Sequence, residues 1–173
     1  MRGKKTKAGR VCKVPVIMQL EALECGAACL AMLLAYYGKW VPLEQVRLDC
    51  GVSRDGSNAH SLLRAARGYG LTAKGYRYEP EELRTSGQFP CILHWNFNHF
   101  VVLDGFRGDK AILNDPAQGV VSVTMQEFDE AFTGICLQMG QVIQLCLGAV
   151  DPCRHTVDRQ QRKAHTGLVH AIV

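Results

Sequence analysis

The chain has no run of about 18 apolar residues, which is the length that a membrane-spanning helix requires. Residues 14–20 are partly apolar, but Pro15 and Gln19 interrupt them, so they do not form the core of a signal peptide. A G-x-x-x-x-G-K-[ST] loop is also absent, which excludes ATP chemistry of the P-loop type. We therefore expect a cytoplasmic protein that uses no cofactor.

The cysteine spacing of a zinc site is missing as well. The eight cysteines include no C-x-x-C pair, and Cys25 and Cys29 lie four apart without a matching His or Cys cluster downstream. Disulfides are the other common use of many cysteines, but they are typical of exported proteins. We expect reduced thiols and no metal ion.

Strong overall charge is absent too. The net charge is only +4, and six of the 20 basic residues lie in residues 1–13. No aromatic residue interleaves them, which disfavours a platform for stacked bases, so nucleic acid is not an expected partner. A flexible, solvated N-terminus is the expectation for these residues, with a nucleic-acid-binding arm as the alternative.

Length and composition fit one globular domain. A chain of 173 residues can bury an ordinary core, and 47% hydrophobic with 21% charged residues is typical of soluble proteins. We assign the domain to residues 14–148. Residues 149–173 have no clear periodicity and are predicted to form a disordered tail.

The first half of the domain is predicted to be helical. Apolar residues at three- and four-residue spacing predict a buried, alanine-rich helix from Leu23 to Tyr37, which Gly38 would end. A second helix is predicted over Leu43–Cys50. A third follows it, with Ser57 or Asn58 as its cap.

The second half changes to the pattern of strands. Short helices are predicted after Pro80 and from Thr124 to Phe132, where Glu127 would complete a capping box. Apolar runs bounded by turn residues predict strands over Leu71–Tyr78, Cys91–Trp95, His99–Phe106, Lys110–Asn114, Gly119–Val123 and Ile135–Met139, with Val142–Leu147 as a further candidate. Helices first and antiparallel strands later predict an α+β fold.

Cys25 is a candidate nucleophile because it lies in the first turn of the predicted buried helix. N–H groups and the helix dipole at that end favour a thiolate, the form that nucleophilic catalysis needs. Gly26 would let a peptide backbone approach the sulfur, and the Gln19 amide could join the Cys25 N–H in binding an oxyanion. The alternative is that Cys25 is a small buried side chain in the core.

His99 and Asp115 are the candidates for the base and for the group that orients it. His99 begins one predicted strand and Asp115 ends the next, and the hairpin between them would bring the two side chains together. His94 lies inside an apolar strand and is interpreted as structural.

These elements resemble the bacteriocin-processing peptidase domain at the N-terminus of double-glycine ABC exporters. The resemblance covers about residues 14–147 and rests on a set of motifs in order: Gln19, Glu24–Leu30, Tyr36–Gly38, His99–Val102 and Asn114–Pro116. It implies a papain-like cysteine peptidase, with helices packed on an antiparallel sheet. Residues 16–19 and 94–97 further resemble the branch that processes lanthipeptide-like precursors.

The resemblance also implies a mechanism and partners. Cys25 would attack the carbonyl after a Gly-Gly or Gly-Ala pair, His99 would transfer the proton, Asp115 would hold His99, and Gln19 would bind the oxyanion. The implied partners are a precursor with a helical leader and the membrane and ATP-binding parts of an exporter, at the inner face of the membrane. Two rival functions stay open, namely a leader-binding domain without cleavage and a papain-like amidase or acyl transferase.

Overall fold

The computed structural model describes residues 11–54 and 56–141. Its α-helices are α1 (Cys25–Tyr36), α2 (Leu43–Cys50), α3 (Ala59–Gly68), α4 (Pro80–Ser86) and α5 (Met125–Ala131). Its strands are β1 (Leu71–Arg77), β2 (Cys91–Trp95), β3 (His99–Arg107), β4 (Lys110–Asp115), β5 (Gly119–Thr124) and β6 (Phe132–Gln141). Helices dominate the first half and strands the second, so the α+β class is confirmed.

All the strands belong to one antiparallel sheet with the order β1-β6-β2-β3-β4-β5. Strands β2 to β5 form a meander in which each strand pairs with the next. The last strand, β6, returns to lie between β1 and β2. The sheet therefore ends on β1 at one edge and on β5 at the other.

Helix α1 is buried on every side except at its C-terminal end, because all of its residues except Tyr36 are buried. Its small residues let α2, α3 and the sheet approach closely. Alternate residues of a strand point to opposite faces, and Ile92 packs with α1 while Cys91 and Leu93 pack on the far side. That far side is covered by α4 and α5, with Leu83 and Phe128 fully buried there.

Several turns and caps have the predicted chemistry. Asn58 caps α3 by accepting a hydrogen bond from the Ser61 N–H, and Thr124 forms the expected capping box with Glu127. Gly38 follows α1 with a positive φ of 84°, the left-handed conformation that commonly ends a helix.

Two predicted helix boundaries were wrong. A single 3-10 turn over Ala22–Glu24 precedes α1, which therefore starts at Cys25 and not at Leu23. Helix α5 stops at Ala131 because Phe132 already belongs to β6 and packs inward. The candidate strand Val142–Leu147 and the tail 149–173 lie outside the described residues.

The described part of the chain holds no helix of sufficient length and apolarity to cross a membrane. The cysteines at 12, 25, 29, 50, 91 and 136 are all buried thiols.

Candidate active site

Cys25 is the first residue of α1, and the turn before it is organised by a buried glutamate. Glu24 is 3% exposed, and its Oε2 accepts hydrogen bonds from the N–H groups of Leu20 (3.0 Å) and Glu21 (3.1 Å). Its Oε1 pairs with Arg47 Nη1 of α2 at 3.0 Å. Glu24 thereby fixes the chain between Gln19 and Cys25. Sequence reasoning assigned no role to this residue, although its place directly before the cysteine was the available signal.

His99 and Asp115 come together as the hairpin between their strands predicts. His99 Nε2 lies 2.9 Å from Asp115 Oδ1. Asp115 is buried, and the Ala117 N–H (2.8 Å) and Gln118 Nε2 (3.2 Å) donate to its two oxygens. These contacts fix the carboxylate and leave the other ring nitrogen of His99, Nδ1, for the sulfur.

The electrostatics of the pair favour the ionised form of both groups. Burial acts to raise the pKa of the Cys25 thiol, but hydrogen bonds from His99 and from the Phe100 N–H outweigh it, and that pKa lies below its usual value. The hydrogen bond to Cys25 raises the pKa of His99 to about 9, against the opposing effect of burial and with the support of Asp115. Both shifts favour a thiolate beside an imidazolium, which is the reactive state of a cysteine nucleophile.

Gln19 lies in the N-terminal segment, beside the end of β4 that carries Asp115. Its N–H donates to the carbonyl of Pro116, directly after Asp115, at 2.9 Å. Its Oε1 is buried and accepts no hydrogen bond from the described residues. An inward Oε1 leaves Nε2, the donor that an oxyanion would need, at the other end of the amide.

The structure corrects the interpretation of Gly26. A Cβ at this position would lie 3.0 Å from Ser57 Cβ and 3.1 Å from Leu62 Cδ1. The space beside the glycine is therefore filled by the protein itself. Gly26 lets α1 pack against α3, and it does not open a path for a substrate backbone.

Cys29 and His94 are engaged elsewhere. Cys29 is fully buried and its Sγ donates to the Phe100 carbonyl at 3.3 Å. Burial raises the pKa of the Cys29 thiol well above its usual value, and the charges of Cys25 and Asp115 add to that rise. His94 Nδ1 lies 2.9 Å from Thr133 Oγ1, and burial lowers the pKa of its ring.

In residues 11–54 and 56–141 no three His, Cys, Asp or Glu side chains are placed to hold a metal ion.

Comparison with known proteins decides the family. The model of the peptidase C39 family matches residues 13–141, which is about three quarters of the chain. The chain belongs to the peptidase C39 family. It is a cysteine peptidase domain, and the papain-like expectation for its fold is confirmed.

Curated relatives of this C39 domain are larger proteins. Over 127 residues it is 38% identical to the colicin V secretion/processing ATP-binding protein CvaB of Escherichia coli, covering 73% of this chain and 18% of that protein. It is 29% identical over 127 residues to the lactococcin-G-processing and transport ATP-binding protein LagD of Lactococcus lactis, covering 70% and 18%. The chain thus spans about a fifth of the length of these relatives.

Solved structures agree with the fold. A double glycine motif protease from an AMS/PCAT transporter, in complex with the leader peptide, is 71% identical with a TM-score of 0.74, covering 78% of this chain and 94% of the other. The peptidase domain of Streptococcus ComA is 20% identical with a TM-score of 0.71, covering 75% and 99%. The second match shows the fold alone.

Proposed function

We propose that this C39 domain removes the leader from a ribosomally made precursor peptide by cutting after a Gly-Gly or Gly-Ala pair. The hydrogen-bonded line from Cys25 through His99 to Asp115 carries the proposal. The 71% identity to a double glycine motif protease with a bound leader peptide supports the substrate class.

In the first half of the reaction the Cys25 thiolate attacks the carbonyl carbon of the second residue of the small-residue pair. The developing oxyanion accepts hydrogen bonds from the Cys25 N–H and from Gln19 Nε2. The His99 imidazolium gives its Nδ1 proton to the leaving amine, and the peptide C–N bond breaks. The products are the free core peptide and a thioester between Cys25 and the leader.

In the second half His99, now neutral, takes a proton from water, and the resulting hydroxide attacks the thioester. The C–S bond breaks, the leader leaves with a free carboxylate, and the thiolate–imidazolium pair is restored. Asp115 accepts the Nε2–H of His99 in both halves, which fixes the ring and stabilises its charge.

The precursor leader would bind as an amphipathic helix through apolar anchors spaced by three and four residues. By likeness to the longer processing and transport proteins, the natural partner would be the membrane and ATP-binding part of an exporter, with the domain at the inner face of the membrane. Precursors of the lanthipeptide type are the proposed class.

The test is cleavage of synthetic precursors by the purified chain, read by mass spectrometry. Peptides with a helical leader ending in Gly-Gly or Gly-Ala should give a leader with a free carboxylate and an intact core peptide. The same peptides with the pair replaced by Val-Val should stay intact, because bulky side chains would not fit a cleft that admits glycine. Cys25→Ala should bind the leader without cleaving it.

The alternative functions give different products. Binding of the Gly-Gly leader by the wild-type chain without any product would indicate a leader-binding domain. An amide product or a crosslink between peptides would indicate acyl transfer. Either result would overturn the proposal.

A further inference from the structure

Residues 12–19, which we name the N-terminal strap, contact β3 and the end of β4. It belongs to no strand of the sheet, yet its backbone is tied down at both ends. The Cys12 N–H donates to the Asp104 carbonyl at 2.8 Å, and the Gln19 N–H donates to the Pro116 carbonyl at 2.9 Å. The strap therefore has a defined start and a defined end, and Gln19 is the end.

Between these ties, two buried side chains hold both polar backbone groups of Val14. Asn114 Nδ2 donates to the Val14 carbonyl at 3.2 Å, and the Asp104 carboxyl group accepts from the Val14 N–H. Asn114 is 0% and Asp104 is 4% exposed. Burying two polar side chains is costly unless they are hydrogen-bonded, and here their bonds go to the strap.

Each of these side chains keeps one oxygen, Oδ1, that is buried without a partner among the described residues. Two incompletely satisfied polar groups are a cost that an apolar pair would avoid. Their presence points to a role other than maximal stability.

The contact of Asn114 with Val14 adjoins the active site. Asn114 directly precedes Asp115 in β4, and Pro116 directly follows it. The end of β4 thus holds His99 through Asp115. It holds the strap through the residues on either side, Asn114 and Pro116. An oxyanion donor must be placed within a fraction of an ångström, and Gln19 is placed by this strap.

We propose that Asp104 and Asn114 are positioning residues that hold the N-terminal strap so that Gln19 reaches the oxyanion. The inference rests on the proposed function, because it assigns Gln19 its role in that reaction. It makes the two residues act through Gln19 and not through the Cys25–His99 pair.

A double-mutant cycle tests this dependence. Asn114→Ala should lower kcat by about 10- to 100-fold with KM little changed, because the donor is displaced while leader binding is kept. In a Gln19→Ala background the same substitution should change kcat by less than about twofold. Gln138→Ala is the matched control, since Gln138 is buried on β6 and donates to Tyr78 instead of the strap. It should leave kcat unchanged in both backgrounds.

Two further readouts separate this inference from the proposed function. Alkylation of Cys25 by iodoacetamide needs the thiolate but no oxyanion donor, so its rate should not change in Asn114→Ala. Hydrogen exchange at the strap amides should become faster in that variant, whether or not the wild type cleaves a given precursor. The inference would be overturned if Asn114→Ala lowered kcat by the same factor in the Gln19→Ala background as in the wild type. Slower alkylation of Cys25 in Asn114→Ala would overturn it as well.

Asp104 provides a second route if Asn114→Ala does not fold. Asp104→Asn keeps the shape and an acceptor for the Val14 N–H, so kcat should stay within about twofold of the wild type. Asp104→Leu removes the acceptor and should reproduce the loss expected of Asn114→Ala, again only when Gln19 is present. Equal kcat in the wild type, Asp104→Asn and Asp104→Leu would contradict the proposal.

Discussion

His99 Nε2 lies 2.9 Å from Asp115 Oδ1. The contact fixes which nitrogen of the ring faces the sulfur and places a negative charge where papain has a neutral asparagine. A carboxylate stabilises the imidazolium more strongly than an amide does, because the attraction between full charges adds to the hydrogen bond. This relationship leads to the first prediction, which concerns pH.

We expect kcat/KM to be bell-shaped in pH. Activity should rise as the Cys25 thiol ionises, below the usual pKa of 9.0, and should fall as His99 loses its proton near pH 9. Asp115→Asn keeps an acceptor for Nε2 but removes the charge, so its alkaline limb should move to lower pH. The rate of cleavage measures both limbs, and the rate of iodoacetamide alkylation measures the acid limb alone. An alkaline limb near the ordinary histidine pKa of 6.5 in the wild type would contradict the charge pairing.

The two cysteines of α1 should respond differently to substitution by alanine. Cys25→Ala should abolish turnover and preserve leader binding. Cys29→Ala should leave kcat intact and lower the free energy of unfolding by about 1–2 kcal/mol, because a buried sulfur and its contact to the Phe100 carbonyl are lost. Urea titration and steady-state kinetics measure the two effects. Loss of activity in Cys29→Ala with activity kept in Cys25→Ala would reverse the assignment.

Gln19→Ala should lower kcat by about 10²–10³-fold if the amide is an oxyanion donor. Binding of the leader to this variant should be unchanged, because the oxyanion exists only during the reaction. Gln118→Ala is a useful comparison, since Gln118 donates to Asp115 Oδ2 from an exposed position and its loss should cost far less. An increase in KM without a loss of kcat would place Gln19 in substrate binding instead.

The candidate triad was accessible from sequence because local signals specify it. A cysteine at a helix start, a histidine at a strand start and an aspartate before a proline each mark an element boundary. The short turn at Gly108 then fixes how β3 and β4 pair, and this brings His99 to Asp115.

The sheet order was not accessible in the same way. Strand β6 pairs with β1 and β2 although the chain between β1 and β6 contains four other strands. The alternation of apolar residues specifies which face of a strand is buried, but it does not specify the neighbouring strand.

The buried polar anchors were missed for a related reason. Glu24, Asp104 and Asn114 have polar side chains, and residues of this kind are usually exposed. Their burial depends on partners far along the chain, such as Arg47 for Glu24 and Val14 for Asn114. The polar Lys13 between the apolar Cys12 and Val14 was the one local sign of a packed strap.

Glu24→Ala should lower the free energy of unfolding by about 2–4 kcal/mol. The substitution removes the acceptor of the Leu20 and Glu21 N–H groups and leaves Arg47 without its close partner. Glu44→Ala is the control, because Glu44 is exposed in the first turn of α2 and its loss should cost less than about 1 kcal/mol. Thermal and urea unfolding measure the difference, and equal effects of the two substitutions would contradict the anchoring role.

Asp104 should make the stability of the domain depend on pH. Burial raises the pKa of Asp104 from 3.8 to about 7 in the folded state, against the opposing hydrogen bond from Val14. Between these values the unfolded chain has already released the proton that the folded chain still holds, so rising pH favours unfolding. The contribution of Asp104 to the free energy of unfolding should therefore fall by about 4 kcal/mol from pH 4 to pH 7 and stay level above.

Asp104→Asn cannot ionise, so it should lack this decline and be more stable than the wild type in mild alkali. Asp109→Asn, in the exposed turn between β3 and β4, should keep the decline. Urea titrations of the three proteins over this pH range provide the measurement. If the free energy of unfolding of the wild type changed with pH in parallel with that of Asp104→Asn, the buried carboxyl of Asp104 would have its ordinary pKa. Asp104 would then hold the Val14 N–H as a carboxylate at neutral pH.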